Sequence, residues 1–195
     1  MEYRIASADD IGLLVQSRLE TLRAVNHLED NHPFSEGFVE ASRRYFLEGD
    51  QTTILAVENG QVAGCATLCY LRMMPTVSHP SGRRAHLMNV YTHPSWRRKG
   101  VARRIVSMLI TEARDRGVSE ISLDATAAGR PLYESLGFKN SSGPYEIDLA
   151  SSFLHISGSI VLRYLNAASL DMFFLLFSHP LRYWKHLALK SSASL

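Results

Sequence analysis

The chain is poor in three things that each mark a protein class: cysteine, uninterrupted apolar sequence and net charge. Only two cysteines, Cys65 and Cys69, occur in 195 residues, which excludes a disulfide-stapled scaffold. They have neither CxxC spacing nor neighbouring histidines, so no metal site is expected. Four apart in an apolar run, they would face one side of a strand and read as buried free thiols in a reducing cytoplasm. The first ten residues are polar and acidic, without a basic stretch followed by an apolar one, so no secretory leader is expected. No apolar run reaches the roughly 18 to 20 residues of a membrane-spanning helix, and no span is expected either.

The formal net charge is only +2. Of 21 Lys+Arg and 19 Asp+Glu in the whole chain, residues 150–195 hold four and one, leaving 17 and 18 for residues 1–149. Nucleic-acid binding accumulates phosphate contacts over a broad basic surface, and a near-neutral domain does not offer one. With 46% hydrophobic residues the chain can bury one sizeable core.

Apolar periodicity supplies the elements. Ser7-Ala8-Asp9-Asp10 has the form of a capping box, and Ile11, Leu14, Val15, Leu19 and Leu22 follow at helical spacing, predicting a helix over 9–27. A loop follows with Asn31-His32-Pro33, then a shorter helix over 38–47. β-rich runs over 52–58 and 61–72 are joined by Asn59-Gly60, a strong hairpin signal. After a Pro- and Gly-bearing turn region over 74–83, residues 86–92 read as a central strand. Val101, Ile105, Met108, Leu109 and Ala113 form one face of a long helix that ends at Gly117. A strand over 118–125, a short helix over 131–136 opened by Pro131, and a strand over 145–149 complete an α/β chain with a mixed sheet.

Charge is concentrated at one point. The run Asn89-Val90-Tyr91-Thr92-His93-Pro94-Ser95-Trp96-Arg97-Arg98-Lys99-Gly100-Val101-Ala102 passes from strand to proline turn to basic, glycine-bearing loop to helix. A helix start carries unpaired backbone N–H groups and the positive end of the macrodipole, so it receives phosphate oxygens without side chains. Arg97, Arg98, Lys99, Arg103 and Arg104 add positive charge around that start, and Gly100 permits close approach to the backbone.

Arg97-Arg98-Lys99-Gly100-Val101-Ala102 fits the pattern Q/R-x-x-G-x-G/A of the acyl-coenzyme A pyrophosphate loop in the GNAT superfamily of N-acetyltransferases. Leu132-Tyr133-Glu134-Ser135-Leu136-Gly137-Phe138 resembles the LYExLGF signature that follows the family's fifth strand. The resemblance covers residues 1–149 and implies a GNAT-type mixed, largely antiparallel central sheet flanked by helices. It also implies acetyl-coenzyme A as co-substrate, with Arg97, Arg98, Lys99, Gly100, Val101, Ala102 and Arg103 around the pyrophosphate. Val90, Tyr91 and Thr92 inherit backbone pairing with the pantetheine arm. That strand is expected to splay from its neighbour, and the thioester carbonyl belongs in the gap.

The implied reaction is attack by a neutral primary amine on the acetyl thioester. A backbone N–H near Val90 would meet the developing oxyanion. Tyr133 holds the family's acid position and would protonate the leaving thiolate. Asp124, on the fifth strand, is the first candidate for the base, with Glu29, His93 and ordered water as alternatives. Where many members carry a longer, asparagine-bearing loop, this chain has Thr126-Ala127-Ala128-Gly129-Arg130-Pro131. Arg130 reads equally as a phosphate or acceptor ligand and as a surface charge.

On the acceptor side Arg18, Glu20, Arg23, Asn26 and Glu29 mix both signs. Arg23, Asn26 and Glu29 are the expected acceptor ligands, for a small polar amine or an amino-acid-like molecule. The alternative to an active enzyme is an acyl-coenzyme A sensor or partner-binding module without turnover.

Residues 150–195 form an apolar extension with clusters at 153–165 and 172–177. They predict helices packed on the domain or on a second subunit of a homodimer. A membrane-surface helix around Trp184, and a tail with no structural role, stay open as alternatives.

Overall fold

The computed structural model describes residues 1–140 and 145–149; the expectations for 150–195 lie outside the described residues. Strands β1 (Glu2–Ile5), β2 (Gln51–Glu58), β3 (Gln61–Arg72), β4 (Arg83–Thr92), β5 (Glu120–Leu123), β6 (Lys139–Asn140) and β7 (Tyr145–Asp148) alternate with helices α1 (Ile11–Val25), α2 (Glu36–Glu48), α3 (Val101–Asp115) and α4 (Arg130–Glu134). The strands form a single sheet in the order β1-β2-β3-β4-β5-β7-β6. Every neighbouring pair is antiparallel except β4–β5, which is parallel. That exception follows from connectivity: β4 reaches β5 through α3, and a crossover helix is what a parallel pair requires.

The long apolar run of β2 reflects a strand covered on both faces. Ile54 and Ala56 belong to the larger core, shared with Leu68, Leu87, Ile105 and Leu109, while Leu55 packs in a second cluster with Leu14 and Cys65. Period-2 alternation therefore feeds α3 on one face and α1 on the other. Asn59 and Gly60 both take positive φ, 50° and 76°, as a two-residue hairpin of this hand requires. On α3 the buried residues are Val101, Ile105, Val106, Leu109, Ile110 and Ala113, with Met108 at the margin.

The boundaries differ from the sequence expectation where local bonds intervene. Ala8–Asp10 is a 3-10 turn, so α1 begins at Ile11 instead of at 9. It ends at Val25 because His27 adopts φ 54°. β4 starts at Arg83, earlier than 86, since Arg84 and Ala85 already pair with Glu120 and Ile121. β6 is a two-residue strand that pairs only with β7, too short for any periodicity to show.

Asp10 anchors the first turn. Its carboxylate accepts from both Arg4 guanidinium nitrogens, at 2.5 and 2.6 Å, and from the Ser7 N–H at 2.9 Å. The Arg4 hydrogen bonds hold its pKa well below the usual carboxylate range. A depressed carboxylate contributes stability above its unfolded pKa and loses it as pH falls. Asp10→Asn is expected to cost about 2 kcal/mol at neutral pH in urea unfolding. The gap from wild type should narrow as the medium is taken below pH 4, the ordinary aspartate range.

Candidate active site

The site begins with a register mismatch. Thr67 of β3 faces Met88 of β4 and Cys65 faces Tyr91, so Ala66 alone spans the interval that Asn89 and Val90 fill. This is a β-bulge on β4, and Asn89 carries it at φ 56°. Asparagine is among the few side-chain-bearing residues that tolerate that region. The Asn89 carbonyl accepts a long bond from the Cys65 thiol, 3.4 Å. Burial pushes that thiol up to about 11.

On its other edge β4 pairs with β5 only from Arg84 to His86, opposite Glu120 to Ser122, although β4 continues to Thr92. Beyond His86 the two strands therefore part, leaving the edge of Val90, Tyr91 and Thr92 without a strand partner on that side. The splay implied by the family resemblance is present, and an extended ligand backbone can add there as a strand.

At the apex sits His86. Its Nδ1 is 2.9 Å from the Ser122 hydroxyl and its Nε2 is 3.9 Å from Asp124 Oδ2. The Asp124 side chain is 86% exposed, whereas His86 is 28% exposed. The sequence reading singled out Asp124 and gave His86 no chemical role. A histidine in a strand carries no signal by itself, and its pairing with Asp124 depends on the parallel register.

The basic loop follows β4 directly. Pro94–Trp96 forms a 3-10 turn capped by His93, whose Nδ1 accepts from the Ser95 N–H. His93 also stacks edge-on to Trp96 at 5.1 Å, so this alternative base is committed to local structure. Arg97 Nε donates to the Thr92 carbonyl at 3.0 Å, tying the loop to the end of β4. Arg98 and Gly100 both lie in the left-handed region, φ 62° and 81°. A Cβ on Gly100 would meet no atom within 4 Å, so backbone conformation, more than space, demands glycine there.

The first i→i−4 bond of α3 runs from the Arg104 N–H to the Gly100 carbonyl, and no side chain caps the helix. The N–H groups of Val101, Ala102 and Arg103 are thereby left for a ligand. They face a cleft of about 570 Å³ lined by Thr92, Trp96, Arg97, Arg98, Gly100 to Arg103, the α4 residues Pro131 and Leu132, and Ser135 just after α4. Thr92 Oγ1 is buried there without a hydrogen-bond partner among the described residues. Arg103 crosses to the Ser135 hydroxyl at 2.5 Å. Of the other expected cations, Lys99 is exposed and outside the lining, and Arg104 lies over the Tyr3 ring at 4.6 Å. The cleft, the free helix start and the arginines fit a pyrophosphate-bearing nucleotide.

Tyr133 is buried on α4, edge-on to Phe138 at 5.9 Å, and desolvation raises its pKa to about 12. The ring rests against Gly129, where a Cβ would come within 3.0 Å of Cε2. Its neighbours on α4 line the large cleft, but Tyr133 itself does not. Arg130 is exposed.

A second cleft, of about 280 Å³, opens between α1, α2 and the β3–β4 surface, lined by Arg18, Ala41, Ser42, Tyr45, Phe46, Thr67, Met88 and Asn89. The expected acceptor ligands lie apart from it. Arg23 donates to the His32 carbonyl and lies over Phe34, Asn26 bonds back to the Leu22 carbonyl, and Glu29 is exposed. Of the polar lining residues, Arg18 was noted among the acceptor-side charges but not expected as a ligand, and Ser42, Thr67 and Asn89 were not expected there.

Three comparisons bear on this geometry. The sequence model of the acetyltransferase (GNAT) family matches residues 19–138. The chain is 25% identical over 154 residues to glucosamine 6-phosphate N-acetyltransferase of Trypanosoma brucei brucei, covering 76% of this chain and 96% of that protein. A 61-residue stretch is 38% identical to the ribosomal protein bS18-alanine N-acetyltransferase of Escherichia coli K12, covering 30% of this chain and 41% of that enzyme. Among solved structures, the crystal structure of a predicted acetyltransferase from Clostridium acetobutylicum with acetyl-CoA superposes with a TM-score of 0.65 at 30% identity, covering 77% of this chain and 97% of that one.

Gly100→Val tests the loop. A β-branched residue at φ 81° is strained and should displace the helix start. Calorimetric titration with acetyl-coenzyme A is expected to show affinity weakened roughly tenfold or more, with the far-UV spectrum unchanged.

Proposed function

The chain belongs to the acetyltransferase (GNAT) family, and we propose that it moves an acetyl group from acetyl-coenzyme A to the primary amine of a small molecule in one direct step. The uncapped α3 start, with its arginines around a 570 Å³ cleft that opens where β4 leaves β5, carries this reading. The coenzyme would be held by the Val101, Ala102 and Arg103 N–H groups and by Arg97 and Arg98. Its pantetheine arm would lie along Val90, Tyr91 and Thr92. When bound, it supplies the activated acetyl thioester. Two buried free thiols suit a protein of a reducing compartment such as the cytoplasm.

The residues of the splay divide the work. The bulge residue Val90, outside the β3–β4 register, offers its N–H to the developing oxyanion. His86 takes the acceptor's proton, with Ser122 at Nδ1 and Asp124 beside Nε2 to orient the ring. Asp124, exposed and 3.9 Å from the ring, acts in this reading through His86. Tyr133 returns a proton to the leaving thiolate. The phenol is protonated at neutral pH; burial raises it to about 12, which makes it a weaker donor than a free tyrosine, so its role rests on its position in the motif.

Two outcomes check these roles. Tyr133→Phe keeps the ring packed against Phe138 and should lower kcat by roughly a hundredfold or more, read as thiol release, while acetyl-coenzyme A affinity is kept. Unchanged kcat would remove the tyrosine from the chemistry. His86→Gln should lower kcat/KM roughly tenfold or more across the pH profile, and Asp124→Asn should lower it less. Profiles that superimpose on wild type would exclude the pair.

A further inference from the structure

The 280 Å³ cleft between α1, α2 and β3–β4 contains two polar features that the protein leaves unanswered. Asn89 is only 6% exposed, lines the cleft, and has its Oδ1 buried without a donor among the described residues. Its Nδ2 is turned to the Cys65 sulfur, 3.8 Å away, so the oxygen is the free end. Arg18 is half-buried on α1 and lines the same cleft, with no carboxylate within ion-pair distance among the described residues. The acidic groups acting on it are only the thiols of Cys65 and Cys69, whose pKa values burial raises, so both stay neutral. A buried acceptor oxygen and a desolvated cation each cost free energy unless a ligand satisfies them. The rest of the wall is mostly apolar, with Ala41, Tyr45, Phe46 and Met88; Ser42 and Thr67 add hydroxyls, that of Thr67 already paired with Thr53.

The position of the cleft ties it to the reaction. Asn89 is itself the left-handed residue of the bulge that borders the splay, so a donor held on its side chain lies beside the point where the acetyl group is to be received. We propose that this cleft binds the acetyl acceptor, and that the acceptor is a free α-amino acid with an apolar side chain. Its amine donates to Asn89 Oδ1, its carboxylate pairs with Arg18, and its side chain lies against Tyr45, Phe46 and Met88. The inference rests on the transferase reading above and narrows it. A polyhydroxylated amino sugar would bring more hydroxyls than Ser42 and Tyr45 can answer, the Thr67 hydroxyl being already paired with Thr53. A plain amine would leave the arginine unpaired.

The test uses the full chain with acetyl-coenzyme A, following thiol release with L-phenylalanine and L-leucine against their decarboxylated counterparts, 2-phenylethylamine and isopentylamine, and against glucosamine 6-phosphate. kcat/KM for each amino acid should exceed that of its matched amine by roughly ten- to a hundredfold. Arg18→Gln should erase that advantage chiefly through KM of the amino acid, leaving KM of acetyl-coenzyme A unchanged, and Arg18→Lys should restore part of it. The variant is expected to fold, since it removes a charge that pairs with no described carboxylate, and its thermal midpoint provides the control.

Equal rates for amino acid and matched amine would overturn the assignment. So would a preference that survives Arg18→Gln, or turnover of glucosamine 6-phosphate alone. In each of those cases acetyl-coenzyme A still binds and an amine is acetylated, so the transferase reading stands. A chain that fails to bind acetyl-coenzyme A in calorimetry would take both readings down together.

Discussion

One surplus residue in β4 governs the site. Because Asn89 and Val90 occupy a span that β3 covers with Ala66 alone, the strand must bend, just past the point where β5 ends at Leu123. The open edge that follows carries Val90, Tyr91 and Thr92, with His86 at its apex. β5 itself ends one residue past the Ser122 that faces His86, so beyond that point this β4 edge has no strand beside it among the described residues. The bulge also moves side chains between faces: Met88 and Asn89, though consecutive, both line the α1–α2 cleft, which strict alternation forbids. The backbone irregularity thus exposes the acetyl position and presents Asn89 to the acceptor side.

A second constraint fixes the start of α3, where we place the phosphates. Gly64 pairs with Thr92 at the end of β4, and a Cβ on it would come within 2.9 Å of both the Tyr91 carbonyl and Val101 Cγ1. Val101 is the first residue of α3 and is 2% exposed. The absence of a side chain at Gly64 lets the start of α3 settle onto the sheet directly behind the loop. The free N–H groups are therefore held by a packed apolar contact, and the donors are in place before a ligand arrives.

Much of this was legible in the sequence because it is local. Asn59-Gly60 names its own turn, the apolar spacing of α3 names its buried face, and the basic run ahead of Val101 names an anion site. Tyr133 could be singled out through its place in a family motif, whereas its burial and raised pKa come from Phe138 and the close approach to Gly129. What escaped was set by pairing across the chain. Nothing around Asn89 announces a bulge, since the surplus exists only relative to β3. His86 meets Asp124 and Ser122 through the parallel β4–β5 register, across 36 to 38 positions of sequence. Arg18 was noticed as one charge among several on α1. Its distinction lies in what α2 and β3 bring around it, while Arg23 found a partner in the His32 carbonyl of the adjacent loop.

The unpaired groups of the acceptor cleft and the raised tyrosine share a logic. A sequence selected for stability alone would neutralise Arg18 with a carboxylate from α2, or replace it with an apolar residue, and would not leave a buried amide oxygen without a donor. Nor would it leave the Thr92 hydroxyl orphaned on the coenzyme side of the same strand. Each of these groups is desolvated by well-packed neighbours and lines a cleft, so the deficit falls where a ligand can relieve it. Binding then recovers free energy that folding has already forgone, and the gain depends on donors and acceptors placed in advance. Arg4 and Asp10, outside the clefts, satisfy each other fully with two short bonds. The contrast between those two treatments of buried charge, in one small domain, separates what holds the fold from what waits for substrate.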